Sequence, residues 1–348
     1  MSNEQPGADM TATAPRKIEL VCPAGGLPSL KAAVDNGADC VYFGFKDATN
    51  ARNFTGLNFD LAQIQEGVAY ARQHGCRIFL ALNTYPLESN QADWVTAVDR
   101  AAELGVDAII MADPGLMAYA ARTYPELRLH LSVQGSATSY EAINFYHERF
   151  GIQRAVLPRV LSLAQIEQLV SNTPVEIEVF GFGGLCVMVE GRCALSAYAT
   201  GKSPNCNGAC SPDAFVRWEQ TPRGMETRLN GILINRYDDG ERASYPTLCK
   251  GRFTVKDETY YAIEEPASLN TLEMLPELAR VGISAIKIEG RQRNPAYVAQ
   301  VTKVWRAALD AFARDGDRFT AQETWMAELN KVSEGQSYTL GAYYRPWK

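Results

Sequence analysis

The sequence predicts an α/β protein: a (β/α)8 TIM-like barrel with a cysteine-bearing insertion between its seventh and eighth strands. Three observations carry that expectation. Short apolar runs alternate with amphipathic stretches, the alternation comes to eight, and residues 183–281 separate the last two runs. A doubly wound open sheet is the alternative, because counting units does not prove closure.

The first seven runs are IELVCPA (18–24), CVYFGF (40–45), RIFLALNT (77–84), AIIMADP (108–114), LHLSVQ (129–134), AVLPRVL (155–161) and VEIEVFGF (175–182). They are rich in Val, Ile, Leu and Phe, as suits parallel strands covered on both faces. Helix-like stretches lie between them, among them FDLAQIQEGVAYARQHG (59–75) and SYEAINFYHERFG (139–151). In the first, Leu61, Ile64, Val68, Ala69 and Ala71 fall near one face at helical spacing, and the closing Gly75 and Gly151 suit helix C-caps. The eighth strand is GISAIKIEG (282–290), followed by the helix-like NPAYVAQVTKVWRAALDAFARDG. Within the insertion, AFVRWEQ (214–220), GRFTVKD (251–257) and YYAIEE (260–265) read as antiparallel strands. Barrel active sites form at the C-terminal ends of the strands, so this insertion rises from the catalytic face.

A chain of 348 residues, 46% hydrophobic, supports one large domain over 18–348. Residues 1–17 are polar and contain Pro, as in a disordered tail. The net charge of -6 gives no general reason to expect nucleic-acid binding. With no run of 18 apolar residues and no leader pattern at the start, a cytoplasmic protein without a membrane span is expected.

Of eight cysteines, Cys186, Cys193, Cys206, Cys210 and Cys249 cluster in the insertion, while Cys22, Cys40 and Cys76 lie in or beside strands and read as core. In a long chain without an export pattern, metal binding is a better expectation than disulfides. The candidate ligands Cys186, Cys193, Cys210 and Cys249 are 7, 17 and 39 residues apart, with Cys206 a possible substitute for Cys210. Four thiolates satisfy either tetrahedral zinc or a 4Fe–4S cluster. Wide intervals favour the cluster, and the alternative of four structural thiols stands beside both. Glycines in GGLC, EGRC, NGAC and TLCKG let the backbone approach the sulfurs.

VCPAGG near the start, GADCVYFGF, EVFGFGGLCVMVEGRCALS, NGACSP and IKIEGRQRNPAYV together resemble the collagenase-like peptidase family, over nearly the whole chain from residue 18. Longer matches, EGRCALSAYATGKSPN, RLNGILINRYDDGE and YPTLCKGR, resemble the branch serving dioxygen-independent ubiquinone biosynthesis. The resemblance implies a 4Fe–4S cluster on Cys186, Cys193, Cys210 and Cys249, with Cys206 a spectator. It also implies a heterodimer with a UbiV-like partner protein, a ubiquinone precursor hydroxylated on its ring, and prephenate as oxygen donor. Many members carry a His in a form like F-x-H-G, where this chain has Phe182, an aromatic shared by that branch. The departure argues against simple transfer of chemistry from RNA-modifying members. His74, His130 and His147 form no HExxH, and no GxSxG is present, so the "peptidase" label finds little support.

A barrel brings polar groups at its strand ends to the mouth. Those candidates are Arg52, Asn83, Asp113, Gln134 and Arg291 for substrate binding, with Glu289 and Arg159 as the expected catalytic residues. Each has a structural alternative. Arg159 and Arg291 can simply pair with Glu178 or Glu289, and Asp113 can cap the helix that Pro114 begins. Beside the hydroxylase stand three other functions: a protease, an RNA-modifying hydroxylase, and a non-catalytic scaffold or electron-transfer subunit.

Overall fold

The computed structural model describes residues 17–345 apart from Arg242 and Gln336, so the expected tail lies outside the described residues except for Lys17. Seven strands come first: β1 (Glu19–Pro23), β2 (Cys40–Phe43), β3 (Arg77–Leu82), β4 (Ala108–Met111), β5 (Leu129–Leu131), β6 (Arg154–Val156) and β7 (Glu176–Gly184). After them come β8 (Val216–Thr221), β9 (Gly224–Leu229), β10 (Ile232–Tyr237), β11 (Arg252–Val255), β12 (Glu258–Tyr261), β13 (Ala267–Asn270), β14 (Ala285–Ile288) and β15 (Ser337–Thr339). β14 pairs in parallel with both β1 and β7, so β1–β7 and β14 close a ring of eight parallel strands. The expected barrel is present and the open sheet is not.

Alternation along each strand divides the core in two. Leu20, Val41, Leu80, Ile109, Val179 and Ile286 pack beneath the helices, whereas Val21, Tyr42, Phe79, Ile110 and Ala285 fill the barrel. The helices start where side-chain caps satisfy the first amide groups. Asp60 with Gln63, and Ser162 with Gln165, form capping boxes for Leu61–Gln73 and Leu163–Ser171, and Asn294 caps Pro295–Asp315. Gly151 ends Tyr140–Phe150 in the left-handed conformation, its N–H donating to His147 O.

The insertion holds an antiparallel sheet, β8–β9–β10, and a hairpin, β11–β12. β8 and β11 fall on expected runs; the strand expected at 260–265 forms instead at β12. β9 and β10 went unforeseen, because GMETRL and ILINRY mix charges into a half-buried sheet in which Glu226 and Asn235 are buried. The expected inserted segment, 183–281, returns its last part to the barrel. β13 pairs antiparallel with β7, and the helix Leu275–Val281 packs against Leu163–Ser171 and Pro295–Asp315. Fully buried Leu272, Leu275 and Leu278 drive that return. Among the described residues no helix is long and apolar enough to cross a membrane.

Candidate functional site

The barrel mouth carries a cavity of about 120 Å³ whose walls include Cys186, Cys193, Cys210 and Cys249. Cys206 does not line it. An outer cavity of about 590 Å³ shares Cys186, Cys210, Cys249, Arg52, Arg159 and Glu289 with the first. Cys186 lies just past β7, and its Sγ is 3.6 Å from Met188 O. Cys193 precedes the short helix Leu195–Thr200. Cys210 follows Gly208, and Cys249 sits in a tight turn with its Sγ 3.8 Å from Thr247 Oγ1.

Close backbone approach seats these loops on the barrel. Gly191 has φ +91°, and a Cβ there would overlap the carbonyl oxygen of Gln134. Ser136 Oγ donates to Glu190 O at 2.7 Å beside it. On the other side, Arg52 N–H donates to Gly208 O at 2.7 Å. Arg52 itself holds φ 97°, rare for a side chain of this kind, kept there by Asn58 Nδ2 on its carbonyl and by Asn83 Oδ1 on the N–H of Ala51.

The polar residues named from sequence mostly meet here. Arg52, Asn83, Gln134, Arg159, Glu289 and Arg291 line the cysteine cavity. Asp113 does not: its Oδ1 accepts from Leu116 N at 2.9 Å and caps the helix Pro114–Thr123. Arg159 pairs with Glu190, Nε to Oε1 at 2.9 Å, rather than with Glu178 or Glu289, and its guanidinium lies 4.0 Å from the Phe180 ring centroid. Arg291 pairs with neither carboxylate; it donates to Asn50 Oδ1 at 2.9 Å and to Ala51 O. Glu289 Oε2 accepts from Gly184 N at 3.2 Å, and its Oε1 is 3.7 Å from Arg52 Nε. Phe182, at the position where many members carry His, is fully buried near Tyr297 and does not line the cavity.

Burial and charge oppose each other throughout the mouth. Burial pushes the thiols of Cys186, Cys193 and Cys249 up. It also pushes Glu190 up despite Arg159. Burial would raise Glu289 too, but Arg52 and Arg159 hold its carboxyl below the usual range. Arg291 is brought down to about 10 by burial, with no carboxylate bonded to it.

Sequence reasoning missed Tyr42, Glu190 and Lys287, which line the same cavity. Lys287 left a signal, a charge inside the buried run AIKIEG, and Glu190 left one in EGRC. Tyr42 left none, since VYFGF is apolar throughout.

Among the described residues, no group of three or more His, Cys, Asp or Glu converges on the position of one metal ion. A cubane spreads its four thiolates over separate irons, wider than one tetrahedral ion does. Four thiols lining one cavity are a donor set that fits a 4Fe–4S cluster. Among the described residues, buried Gln134 Oε1 and Glu190 Oε2 have no hydrogen-bond partner, as expected of a cavity built to receive another molecule.

Fold and mouth together define a barrel protein with a thiol-lined, arginine-rich cavity on its catalytic face. Peptidase family U32 matches residues 25–346, and the chain belongs to that family. It is 31% identical over 327 residues to the tRNA hydroxylation protein P1 of Bacillus subtilis (strain 168), covering 93% of this chain and 70% of that protein. To an uncharacterized protease of Methanocaldococcus jannaschii it is 34% identical over 336 residues, 94% of this chain and 73% of the other. To the tRNA hydroxylation protein P of Escherichia coli (strain K12) it is 31% identical over 318 residues, 84% of this chain and 68% of the other. Two of these three relatives are thus named for hydroxylation.

Proposed function

We propose that this chain is a UbiU-like iron–sulfur subunit of a dioxygen-independent hydroxylase that modifies the ring of a ubiquinone precursor. It works in the cytoplasm as a heterodimer with a UbiV-like partner, with prephenate as oxygen donor. The observation that carries the reading is the meeting of Cys186, Cys193, Cys210 and Cys249 with Arg52, Arg159 and Glu289 around one cavity. A 4Fe–4S cluster on those cysteines supplies one-electron chemistry at the cavity wall. Arg291, a buried cation without a carboxylate partner among the described residues, and Arg52, only loosely paired, supply the charge that a carboxylated donor needs. Asn83 holds the Arg52 loop, Gln134 offers a free acceptor, and Arg159 locks the 184–190 turn through Gly184 O and Glu190. Glu289, held ionised by Arg52 and Arg159, is the carboxylate placed to accept a proton or a hydrogen bond from a substrate at the mouth.

Anaerobic purification with iron and sulfide analysis and electron paramagnetic resonance tests the cluster, repeated on single Ala variants of the five clustered cysteines. Iron with sulfide, lost in every variant except Cys206→Ala, is the expected result. Zinc, or no metal, removes the physical support for redox chemistry. The names of the relatives favour one second reading, an RNA ring as acceptor. It predicts salt-sensitive RNA affinity, against which the net charge of -6 counts.

A further inference from the structure

One ammonium group in the cavity remains outside these roles. Lys287, in β14, lines the cavity of the cysteines and is 5% exposed. Its Nζ lies 2.7 Å from Glu178 Oε1 and 3.7 Å from the centroid of the Tyr42 ring. Glu178 Oε2 meets Arg154 Nη1 at 3.2 Å, so one buried carboxylate faces two cations. If Lys287 gives up its proton, the Glu178–Arg154 pair stays balanced and no unpaired buried charge results. The ionisable groups around it are Glu178 on β7, Arg154 on β6, Tyr42 on β2, His130 on β5 and Arg291 beyond β14. Burial loosens the hold of Lys287 on its proton; Glu178 opposes this, and Arg291 and Arg154 add to it.

The other proton-bearing groups of the wall have other duties. The guanidinium groups of Arg52 and Arg159 do not release protons, and that of Arg291, though brought down to about 10, donates to Asn50 Oδ1 and Ala51 O and stays charged at neutral pH. The Tyr42 hydroxyl donates to Ile288 O at 2.9 Å, and burial pushes its pKa up. Glu289 is held as carboxylate, and Glu190 is the partner of Arg159.

We propose that Lys287 is the proton donor of the reaction in this cavity. It protonates an oxygen of the bound substrate as that oxygen gains negative charge. An N–H bond breaks, an O–H bond forms, and the neutral amine stays hydrogen-bonded to Glu178 until water entering the mouth returns the proton. The choice of substrate rests on the hydroxylase reading; the poise of Lys287 rests on its surroundings alone.

Two measurements decide it. Competitive acetylation with acetic anhydride over a pH series, read by peptide mass spectrometry on the wild-type complex without substrate, compares Lys287 with exposed Lys46. Half-labelling of Lys287 is expected about one pH unit or more below that of Lys46. In Lys287→Arg, which keeps the charge opposite Glu178, kcat is expected to fall about 100-fold or more with KM, iron content and Tm close to wild type. Labelling of Lys287 in step with Lys46, no labelling at any pH, or Lys287→Arg turning over within about threefold of wild type overturns the proposal. If the arginine variant fails to fold, the acetylation result decides alone. If the wild-type complex hydroxylates no ring, the functional reading falls while acetylation still judges Lys287.

Discussion

The two ends of the barrel use the same residue types for opposite purposes. At the N-terminal ends of the strands, Arg154 bonds Glu19, Glu176 and Glu178, Arg77 pairs with Glu19, and Arg128 pairs with Glu176. Guanidinium and carboxylate saturate one another there, and of the buried polar atoms at that end His130 Nδ1 is left over. At the mouth, Arg52 stands 3.7 Å from Glu289, and among the described residues Arg291 bonds only neutral groups and Glu190 Oε2 and Gln134 Oε1 find no partner. An unsatisfied buried polar atom costs on the order of 1–3 kcal/mol. At the mouth that cost falls on two groups facing the cavity, and at the closed end on one ring nitrogen beside a saturated ion-pair network.

Breaking the closed end has the largest expected effect. Arg154→Met leaves Glu178 buried against Lys287 alone and strips Glu19 and Glu176 of their shared partner. Unfolding free energy in urea is expected to drop by about 3–5 kcal/mol; a loss under about 1 kcal/mol would erase the contrast. At the open end the cost moves from stability to turnover. On the hydroxylase reading proposed above, Glu289→Gln is expected to lower ring hydroxylation about tenfold or more, about 1.4 kcal/mol of barrier, with urea stability within about 1 kcal/mol of wild type. Unchanged turnover there, and in Arg159→Ala, removes both from the site. Asp113→Ala sharpens the boundary of the mouth. It should cost about 1 kcal/mol of stability through the lost helix cap and leave turnover unchanged.

The smallest expected effect is in the pH dependence of the closed end. Burial would raise the carboxyls of Glu19 and Glu176, but Arg154 carries both below their ordinary value. Their contribution is complete above the unfolded carboxyl pKa of about 4.3 and fades as pH falls through the folded values. Burial, aided by Arg154, holds His130 well below its usual range, so the unfolded chain takes a proton that the folded one refuses. That contribution is complete above about pH 6.5 and declines below it. Tm recorded from neutral pH downward should fall in these two stages. Arg154→Met should flatten the lower one.

The barrel was legible because buried parallel strands leave continuous apolar runs and Gly151 marks a helix end without tertiary help. The insertion was legible where β8 and β11 carry aromatic and β-branched residues, and opaque at β9, where Glu226 is buried by pairing with Arg228 and Arg236. In the mouth, position in a strand-end loop foretold Arg52, Gln134 and Glu289 as lining residues. Partner choice could not be read. Arg159 meets Glu190 because the 186–193 loop folds back under Gln134 and Ser136, a contact set by tertiary docking rather than by spacing. The inward aim of Tyr42 and Lys287 depends on strand register, which a run of mixed hydrophobics does not declare.

The turn that carries Cys249 is fastened from far along the chain. Lys250 is buried, its Nζ bonds Glu334 Oε2 at 2.9 Å, Glu334 N–H donates to Ser268 Oγ at 2.7 Å, and β15 then zips onto β13. On the ribosome, all five cysteines of the insertion therefore emerge before the anchor of the last one has been made. The seat of Cys249 is complete only when Glu334 and β15 have docked, so the geometry of the cysteine cavity depends on a segment about 85 residues further along the chain.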